Sequence, residues 1–400
     1  MSFIHLVEPQ RAHGRWPILA LGFRPFFLLA AVFAAAAVPL WLLVYQGTVE
    51  PVSHLPPAIW HGHEMVFGFA IAVVAGFLLT AASNWTGRRT ATGLGLGALA
   101  GLWIAGRVGI VAGGGLPMWL VIGMDVAFLP ILAIVLAVPL LAAGNRRNVV
   151  FPIVLLVLGL INLSIHLGGL GAIDWDPSRG LRVAIDLVLL MIGVLGGRVI
   201  PSFTKNAIPQ ARVNPCSKAS VLALLSLAAM PVAEVATANA MVTGSIALAA
   251  GMINALRMRG WGSGATLRTP ILWILHVGYA WLAAGLILRG IAELTDLIPL
   301  DAGIHALTLG AIGSMTVGMM SRVALGHTGR SIVPAPLTVA AYRLVNAAAL
   351  LRVAFALTWS DQLRTASLLG SGALWSLAFL CFVTVYLPIL SRPRADGRAG

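Results

Sequence analysis

The chain alternates between long apolar stretches and short polar connections. A hydrocarbon core about 30 Å thick needs roughly 20 apolar residues per helix, and twelve stretches of this kind follow one another along the chain. They predict membrane-spanning helices at about 25–45, 61–83, 93–112, 117–142, 149–171, 181–203, 219–236, 238–256, 270–292, 302–325, 337–358 and 366–390. The predicted fold class is therefore all-α, a polytopic membrane protein built as a bundle of about twelve transmembrane helices.

The connections between the helices are too short for a soluble domain, so residues 1–400 are predicted to form a single integral membrane domain. The first apolar stretch follows a polar start and is too long for the core of a signal peptide, which predicts a retained helix. A proline-containing connection near 203–218 divides the chain into possible halves, 1–205 and 219–400. Such a six-plus-six division is typical of secondary transporters, although no residue-level repeat links the halves.

The composition supports this assignment. Hydrophobic residues make up 59% of the chain and charged residues only 10%, whereas about 25% is usual for soluble proteins. A single water-soluble globule is therefore excluded. The two cysteines, Cys216 and Cys381, are far apart in the chain, so neither a disulfide framework nor a cysteine metal site is indicated. The chain also has no CxxCH motif, so any haem would be bound without a covalent link.

The net charge of +13 raises the question of a nucleic-acid partner, but the basic residues form no run or stripe. Their distribution instead indicates orientation, because short loops rich in Lys and Arg stay on the cytoplasmic side of a membrane. Only Arg179, Arg182, Arg289 and Arg364 are placed in loops on the outer side. Both termini are predicted to be cytoplasmic, because seventeen of the 26 basic residues fall on the inner side: Arg11, Arg15, Arg24, Arg88, Arg89, Arg146, Arg147, Lys205, Arg212, Lys218, Arg257, Arg259, Arg268, Arg330, Arg392, Arg394 and Arg398.

Ionisable residues inside the predicted helices are candidates for function, because each costs about 2.5–3.5 kcal/mol to insert at a helix centre. Arg107 and Asp125 lie on consecutive helices and are expected to pair. Structural ion pairs and a proton path are both compatible with the pattern. With the orientation above, these residues gather toward the outer ends of the helices: Glu64, Arg107, Asp125, His166, Asp186, Glu234, His305 and Arg352.

Histidines at the same outer level predict a metal site, because neutral imidazoles are the commonest protein metal ligands. Several imidazoles from different helices suit copper or haem iron. The alternative for each residue alone is a hydrogen-bonded structural role or contact with lipid headgroups. The predicted ligands are His61, His63, His166 and His305.

The spacing of His61 and His63 limits how they bind. Residues two apart in a regular helix point about 200° away from each other, so both face one metal only if the helix begins near Gly62. In a regular helix, His61 shares its face with Glu64 and Met65, whereas His63 shares one with Phe67.

A second candidate site lies toward the inner ends of the helices. His276 is expected about 10 Å inside the inner surface at a rise of about 1.5 Å per residue. Arg24, Arg198 and Arg322 lie near the inner helix ends, and guanidinium groups pair well with carboxylates. His276 is therefore a predicted haem ligand, and the arginines are predicted to hold the haem propionates. In the alternative interpretation, each arginine reaches lipid phosphates at the inner boundary.

Four separated motifs together resemble the NnrS family, over almost the whole chain. They are Gly22-Phe-Arg-Pro-Phe-Phe27, Trp60-His-Gly-His-Glu-Met65, Gly197-Arg-Val-Ile-Pro-Ser-Phe-Thr204, and His305-Ala-Leu-Thr-Leu-Gly310 with the later Met320-Ser-Arg-Val-Ala-Leu-Gly-His-Thr-Gly329. The resemblance implies a protein of the bacterial cytoplasmic (inner) membrane, linked to nitric oxide metabolism and nitrosative stress, with haem and copper as cofactors. The family's histidine-bearing motifs match here at His61, His63, His305 and His327, which adds His327 to the candidate cofactor-binding residues.

Together these lines predict a copper site at the outer histidines and a non-covalent, b-type haem near His276. The expected partners are nitric oxide, membrane lipid and a quinol or redox-protein electron donor, with no nucleic acid. If the protein is an enzyme, the expected chemistry is reduction of nitric oxide to N2O, with Glu64 foremost among the acids that relay protons. The alternatives are a non-catalytic haem protein that binds or senses nitric oxide, and a twelve-helix secondary transporter. A transporter would be expected to have a site at the membrane midplane, whereas the ionisable residues gather at the helix ends.

Overall fold

The computed structural model describes residues 16–50, 53–237, 239–357 and 361–398, and these ranges contain helices and no strand. Arg11 and Arg15, assigned above to the inner side, lie outside the described residues. Twelve helices are long and apolar enough to cross a membrane: α1 Phe23–Tyr45, α2 Pro57–Thr86, α3 Gly93–Ala112, α4 Met118–Ala142, α5 Arg146–Gly169, α6 Pro177–Ala207, α7 Ser217–Ala236, α8 Ala240–Met258, α9 Pro270–Leu294, α10 Leu300–His327, α11 Pro336–Ala356 and α12 Gln362–Ser391. The predicted bundle of membrane-spanning helices is confirmed.

The shortest predicted connection, between α7 and α8, is also present. Helix α7 ends at Ala236 because Thr237 adopts an extended backbone, with φ −147° and ψ 148°. Asn239 begins the next helix, and its side chain accepts a hydrogen bond from the backbone N–H of Met241. Asparagine is among the best residues for this capping role, so a connection of three residues, 237–239, is enough to separate the two helices.

Three long helices, α2, α6 and α10, contact one another in the middle of the bundle. They span 30, 31 and 28 residues. The other helices surround them, and α1 packs along α12, so the two ends of the described chain meet. Many apolar side chains on the surrounding helices are exposed, among them Ile134, Leu160 and Val232. Exposed apolar surface of this extent is typical of contact with lipid.

Two of the central helices contain π-helical segments. In α2 the segment covers Glu64–Ala70, directly after His63. In α10 it covers Ala306–Ile312, directly after His305. Each π-helical turn accommodates more residues than an α-helical turn, and such segments occur frequently at functional sites. The histidine motifs of the two helices therefore share a local geometry that regular helical periodicity does not predict.

Glycines allow α8 and α9 to approach closely. A Cβ atom on Gly290 would lie 2.6 Å from the backbone nitrogen of Leu248 and 2.8 Å from the carbonyl oxygen of Gly244. We expect Gly290→Ala to lower the free energy of unfolding by about 1–3 kcal/mol, the usual cost of overpacking, as measured by unfolding in denaturing detergent. Gly101→Ala is the matched control, because its Cβ would meet open space, and it should be neutral or slightly stabilising. Equal stability of the two variants would contradict this packing.

Candidate functional site

A cavity of about 990 Å³ lies between α1, α2, α6, α10, α11 and α12, near the predicted outer end of the bundle. Its volume is at the upper end of the range of about 300–1,000 Å³ for small-molecule and cofactor sites. Both π-helical segments contribute to its wall. Much of the wall is apolar, and its ionisable lining residues are His61, Arg182, Asp301, His305, Arg352 and Arg364.

His61 enters the cavity from α2. Its ring stacks on the indole of Trp41, with the ring centroids 4.6 Å apart and the planes 13° from parallel. Neither ring nitrogen has a hydrogen-bond partner among the residues that the structure describes. Met65 lines the same cavity, as the regular helical spacing predicts. Glu64, predicted on the same face, instead contacts His63, because a π-helical segment begins at Glu64. The stacking holds the ring in place and leaves its nitrogens available to a ligand.

His305 lines the same cavity from α10. Its Nδ1 lies 2.8 Å from the backbone carbonyl oxygen of Asp301. Because a carbonyl only accepts hydrogen bonds, Nδ1 carries the proton and Nε2 keeps its lone pair. The Asp301 carboxylate is in turn paired with Arg352. A histidine oriented through its other nitrogen in this way is typical of metal and haem ligands.

A second group of ligand atoms is buried beside α2. The Nε2 atoms of His63 and His166 lie 3.2 Å and 2.9 Å from the same oxygen, Asp125 Oδ2. All three side chains are at most 1% exposed, and their ligand atoms lie within 4.8 Å of one another. We call these residues the His/Asp cluster. Two imidazole nitrogens and a carboxylate oxygen are a donor set that binds transition metals.

The neighbours of the His/Asp cluster fix its donor atoms. His63 Nδ1 donates to Glu64 Oε1 at 3.0 Å, so the neutral ring has no hydrogen on Nε2. That nitrogen nevertheless faces two further acceptors, Asn162 Oδ1 at 2.7 Å and Asp125 Oδ2 at 3.2 Å. Asn162 Nδ2 donates to Asp125 Oδ2 at 2.7 Å, so its Oδ1 faces the His63 Nε2 with no hydrogen between these two atoms. A bound cation at this point would satisfy both acceptors.

Arg107 balances the charge around the His/Asp cluster. Its guanidinium donates to Glu64 Oε1 at 2.6 Å and pairs with Asp125. The predicted pairing of Arg107 with Asp125 is therefore found. Glu64, predicted to relay protons, is 1% exposed and bridges His63 and Arg107. With one guanidinium facing two carboxylates, the group carries one negative charge while its histidines are neutral.

His54 completes the surroundings of His166, and the sequence did not single it out. It precedes α2, and its Nε2 lies 2.9 Å from His166 Nδ1. Burial lowers the pKa of His54 to about 4, with the neighbouring His166 and His63 as smaller causes, so its imidazole is neutral at neutral pH. The only sequence signal for His54 was its position in a short loop at the outer level.

The structure divides the predicted histidine set into two pairs. His61 and His305 line the cavity, whereas His63 and His166 belong to the His/Asp cluster. His61 and His63 fall into different pairs because residues two apart in a helix lie on opposite faces. His63 accordingly contacts Phe67, with ring centroids 4.9 Å apart.

Among the inner candidates, His276 is buried with both ring nitrogens already engaged. Its Nε2 lies 2.9 Å from Thr204 Oγ1 and its Nδ1 lies 2.9 Å from Ser263 Oγ. A ligand role would require one of these hydrogen bonds to break. Arg24 is also buried, and it donates to the carbonyl oxygens of Leu390 and Arg392 at 2.9 Å and 2.7 Å. It thereby caps the C-terminal end of α12.

The other inner candidates contact neighbouring helices separately. Arg198 donates to Asn148 Oδ1 at 3.0 Å. The guanidinium of Arg322 lies 3.8 Å from the ring centroid of Phe203. The ring of His327 lies 5.7 Å from that of Phe23, near the start of α1. These contacts connect helix ends, and they give no support to a common site around His276.

The arginines predicted to lie in outer loops are within helices instead: Arg179 and Arg182 in α6, Arg364 in α12 and Arg289 in α9. Of these, Arg289 is 0% exposed. Its guanidinium pairs with three carboxylates, those of Asp186, Glu234 and Glu293. We call these four residues the Arg289 cluster.

The fold and the site together define a multi-pass helical membrane protein with a histidine-lined cavity and a buried His/Asp group that could bind a metal. The chain belongs to the NnrS family: the sequence model described as NnrS protein matches residues 17–394, nearly the whole chain. This family is linked to nitric oxide responses. None of the curated proteins compared with the chain matches it.

Proposed function

We propose that the protein is a haem- and copper-containing protein of nitric oxide metabolism in the bacterial cytoplasmic membrane, with its haem in the outer cavity. The observation that carries this proposal is the convergence of His61 and His305, from two central helices, on one cavity of cofactor size. Loss of the Soret absorbance in His61→Ala and His305→Ala tests it.

The lining of the cavity fits a non-covalent haem. His61 has ring nitrogens without a hydrogen-bond partner among the described residues and His305 presents Nε2, so these two imidazoles could hold haem iron. Arg352 and Arg364 line the same cavity, and guanidinium groups bind carboxylates such as haem propionates. This location replaces the inner haem site expected around His276, whose nitrogens are both hydrogen-bonded.

The His/Asp cluster fits a second metal, for which the family implies copper. His63, His166 and Asp125 would supply two nitrogens and one oxygen, while Glu64 and His54 hold the far nitrogens of the two rings. Second-shell partners of this kind orient the ligands and raise their basicity. Similar donor sets also bind iron and zinc, so the metal found on analysis decides among them.

Substitutions in the His/Asp cluster should separate this metal from the haem. We expect His63→Ala and His166→Ala to lose the second metal while they retain haem, because each removes a ligand nitrogen outside the cavity. His54→Ala should weaken metal binding by about 10–100-fold, as loss of a second-shell partner does. The measurement is elemental analysis of purified protein together with its absorption spectrum.

His327→Ala serves as the control, because that residue contacts the ring of Phe23 outside both sites. It should retain both metals. Unchanged metal content in His63→Ala and His166→Ala would overturn the assignment of the His/Asp cluster.

The haem and copper would supply nitric oxide binding and electron transfer, and the chain shapes access to them. Trp41, Phe69 and Trp375 give the cavity apolar walls that limit water. Nitric oxide is small, neutral and soluble in lipid, so it can reach the cavity without a polar channel. Glu64 holds the Nδ1 proton of His63, and its proposed part in relaying protons is compatible with that contact.

The proposed reaction converts two molecules of nitric oxide, with two electrons and two protons, into N2O and water. The electrons come from a quinol or a redox protein. A nitric oxide electrode measures this activity directly in purified protein supplied with a reductant. Consumption together with N2O formation supports catalysis. If the haem spectrum responds to nitric oxide without turnover, the protein is a non-catalytic haem protein that binds or senses the gas.

A further inference from the structure

The Arg289 cluster lies apart from the histidines, between α6, α7 and α9. Arg289 Nη1 lies 2.8 Å from Asp186 Oδ1, its Nε lies 2.8 Å from Glu293 Oε1, and Nη2 contacts Glu234. The four side chains are between 0% and 8% exposed. A single guanidinium therefore joins three buried carboxylates from three helices.

The charges of this group do not balance. Arg182 adds a second guanidinium, with Nε 3.3 Å from Glu234 Oε2. Three carboxylates then face two guanidiniums, which leaves one excess negative charge. Two oxygens of the group, Asp186 Oδ2 and Glu293 Oε2, are buried without a hydrogen-bond partner among the described residues.

Among the described residues, Arg179 is a third guanidinium that borders the group. It donates to the backbone carbonyl oxygens of Glu234 and Val235 and has no hydrogen bond to a carboxylate of the group. From α8 and α10, glycines pack against the group, Gly244 against Glu293 and Gly303 against the Arg289 backbone. The carboxylates are therefore paired with two guanidiniums, those of Arg182 and Arg289.

An unpaired charge in a low-dielectric interior is costly, and a carboxylate avoids that cost by binding a proton. We propose that Asp186, Glu234 and Glu293 form a proton-binding site that holds one exchangeable proton. The two unpartnered oxygens are the positions to which that proton binds. A protonated carboxyl there also becomes a hydrogen-bond donor.

The site adjoins the cavity through α6. Arg182 lines the cavity and also contacts Glu234, while Ile185 lines it one position before Asp186. If the proposed reaction occurs there, this site is a proton donor to it: the carboxylic acid releases its proton as electrons arrive, and water at the outer surface replaces it. This second step rests on the proposed function, whereas the binding of the proton does not.

Infrared spectroscopy of the purified full-length protein tests proton binding without reference to haem or activity. We expect a carbonyl-stretch band of a protonated carboxylic acid at neutral pH that shifts in D2O. Asp186→Asn and Glu293→Gln should each lose this same band, because two carboxylates and two guanidiniums balance without a proton. Asp174→Asn, an exposed outer-loop change, is the matched control and should keep it.

The band of the wild-type protein should also disappear at alkaline pH, which tests the proposal even if a variant fails to fold. Absence of the band in wild-type protein, or its persistence in both Asp186→Asn and Glu293→Gln, would overturn the site. A confirmed band in a protein that consumes no nitric oxide would leave the proton site standing and refute only the catalytic function.

Discussion

His305→Ala is expected to lose at least about nine-tenths of the haem, measured as the Soret absorbance per protein. The change removes one of the two proposed iron ligands, and even second-shell changes at metal sites cost about 10–100-fold in affinity. His61→Ala should have the same effect, because His61 lines the same cavity from α2. The double variant should contain no haem.

The inner histidine provides the sharpest comparison. His276→Gln should retain haem, because glutamine keeps hydrogen-bonding capacity toward Thr204 and Ser263, the present partners of His276. The opposite pattern, haem lost in His276→Gln and kept in both cavity variants, would restore the inner site expected from the sequence. Absence of a Soret band in the wild-type protein would refute the haem proposal and favour a transporter.

Arg289→Ala is expected to cause the largest loss of stability. It leaves three buried carboxylates without the guanidinium that joins them, and breaking a buried ion pair by removing one partner costs about 3–5 kcal/mol. The loss can be measured as the shift of thermal or detergent-induced unfolding in purified protein. Low yield of folded protein is a further expected result.

Arg88→Ala is the control for Arg289→Ala, because Arg88 is exposed in the connection after α2. It should unfold like the wild type. Adding Asp186→Asn and Glu293→Gln to Arg289→Ala should recover part of the lost stability, since the stability effects of substitutions within one ion-pair network are not additive. Wild-type stability of Arg289→Ala alone would show that the cluster does not support the fold.

The helices were predictable because their signals are local. A run of about 20 apolar residues can satisfy its backbone in lipid only as a helix, and Asn239 provides the cap that begins α8. The pairing of Arg107 with Asp125 was also predictable, since neighbouring helices bring charges at equal depth together. These inferences need only the apolar periodicity of each helix and the direction in which it crosses the membrane. They need no knowledge of the tertiary structure.

The partition of the histidines could not be predicted in full. The spacing of His61 and His63 showed that they point apart, but which helix meets each face depends on the packing of all twelve. His54 belongs to a loop with no periodicity. Arg289 was assigned to a loop because basic residues near helix ends usually meet water, whereas here three carboxylates from three helices hold it inside the bundle.

In the π-helical segments of α2 and α10, the number of residues affects the site as much as their identity does, because it sets the direction of the histidines that precede them. Removing a single residue from Ala306–Ile312 would change the direction of His305 relative to the rest of α10. An insertion or deletion within Glu64–Ala70 would likewise rotate both α2 histidines together, away from the cavity and the His/Asp cluster. The number of residues in these two segments therefore sets the directions of His61, His63 and His305.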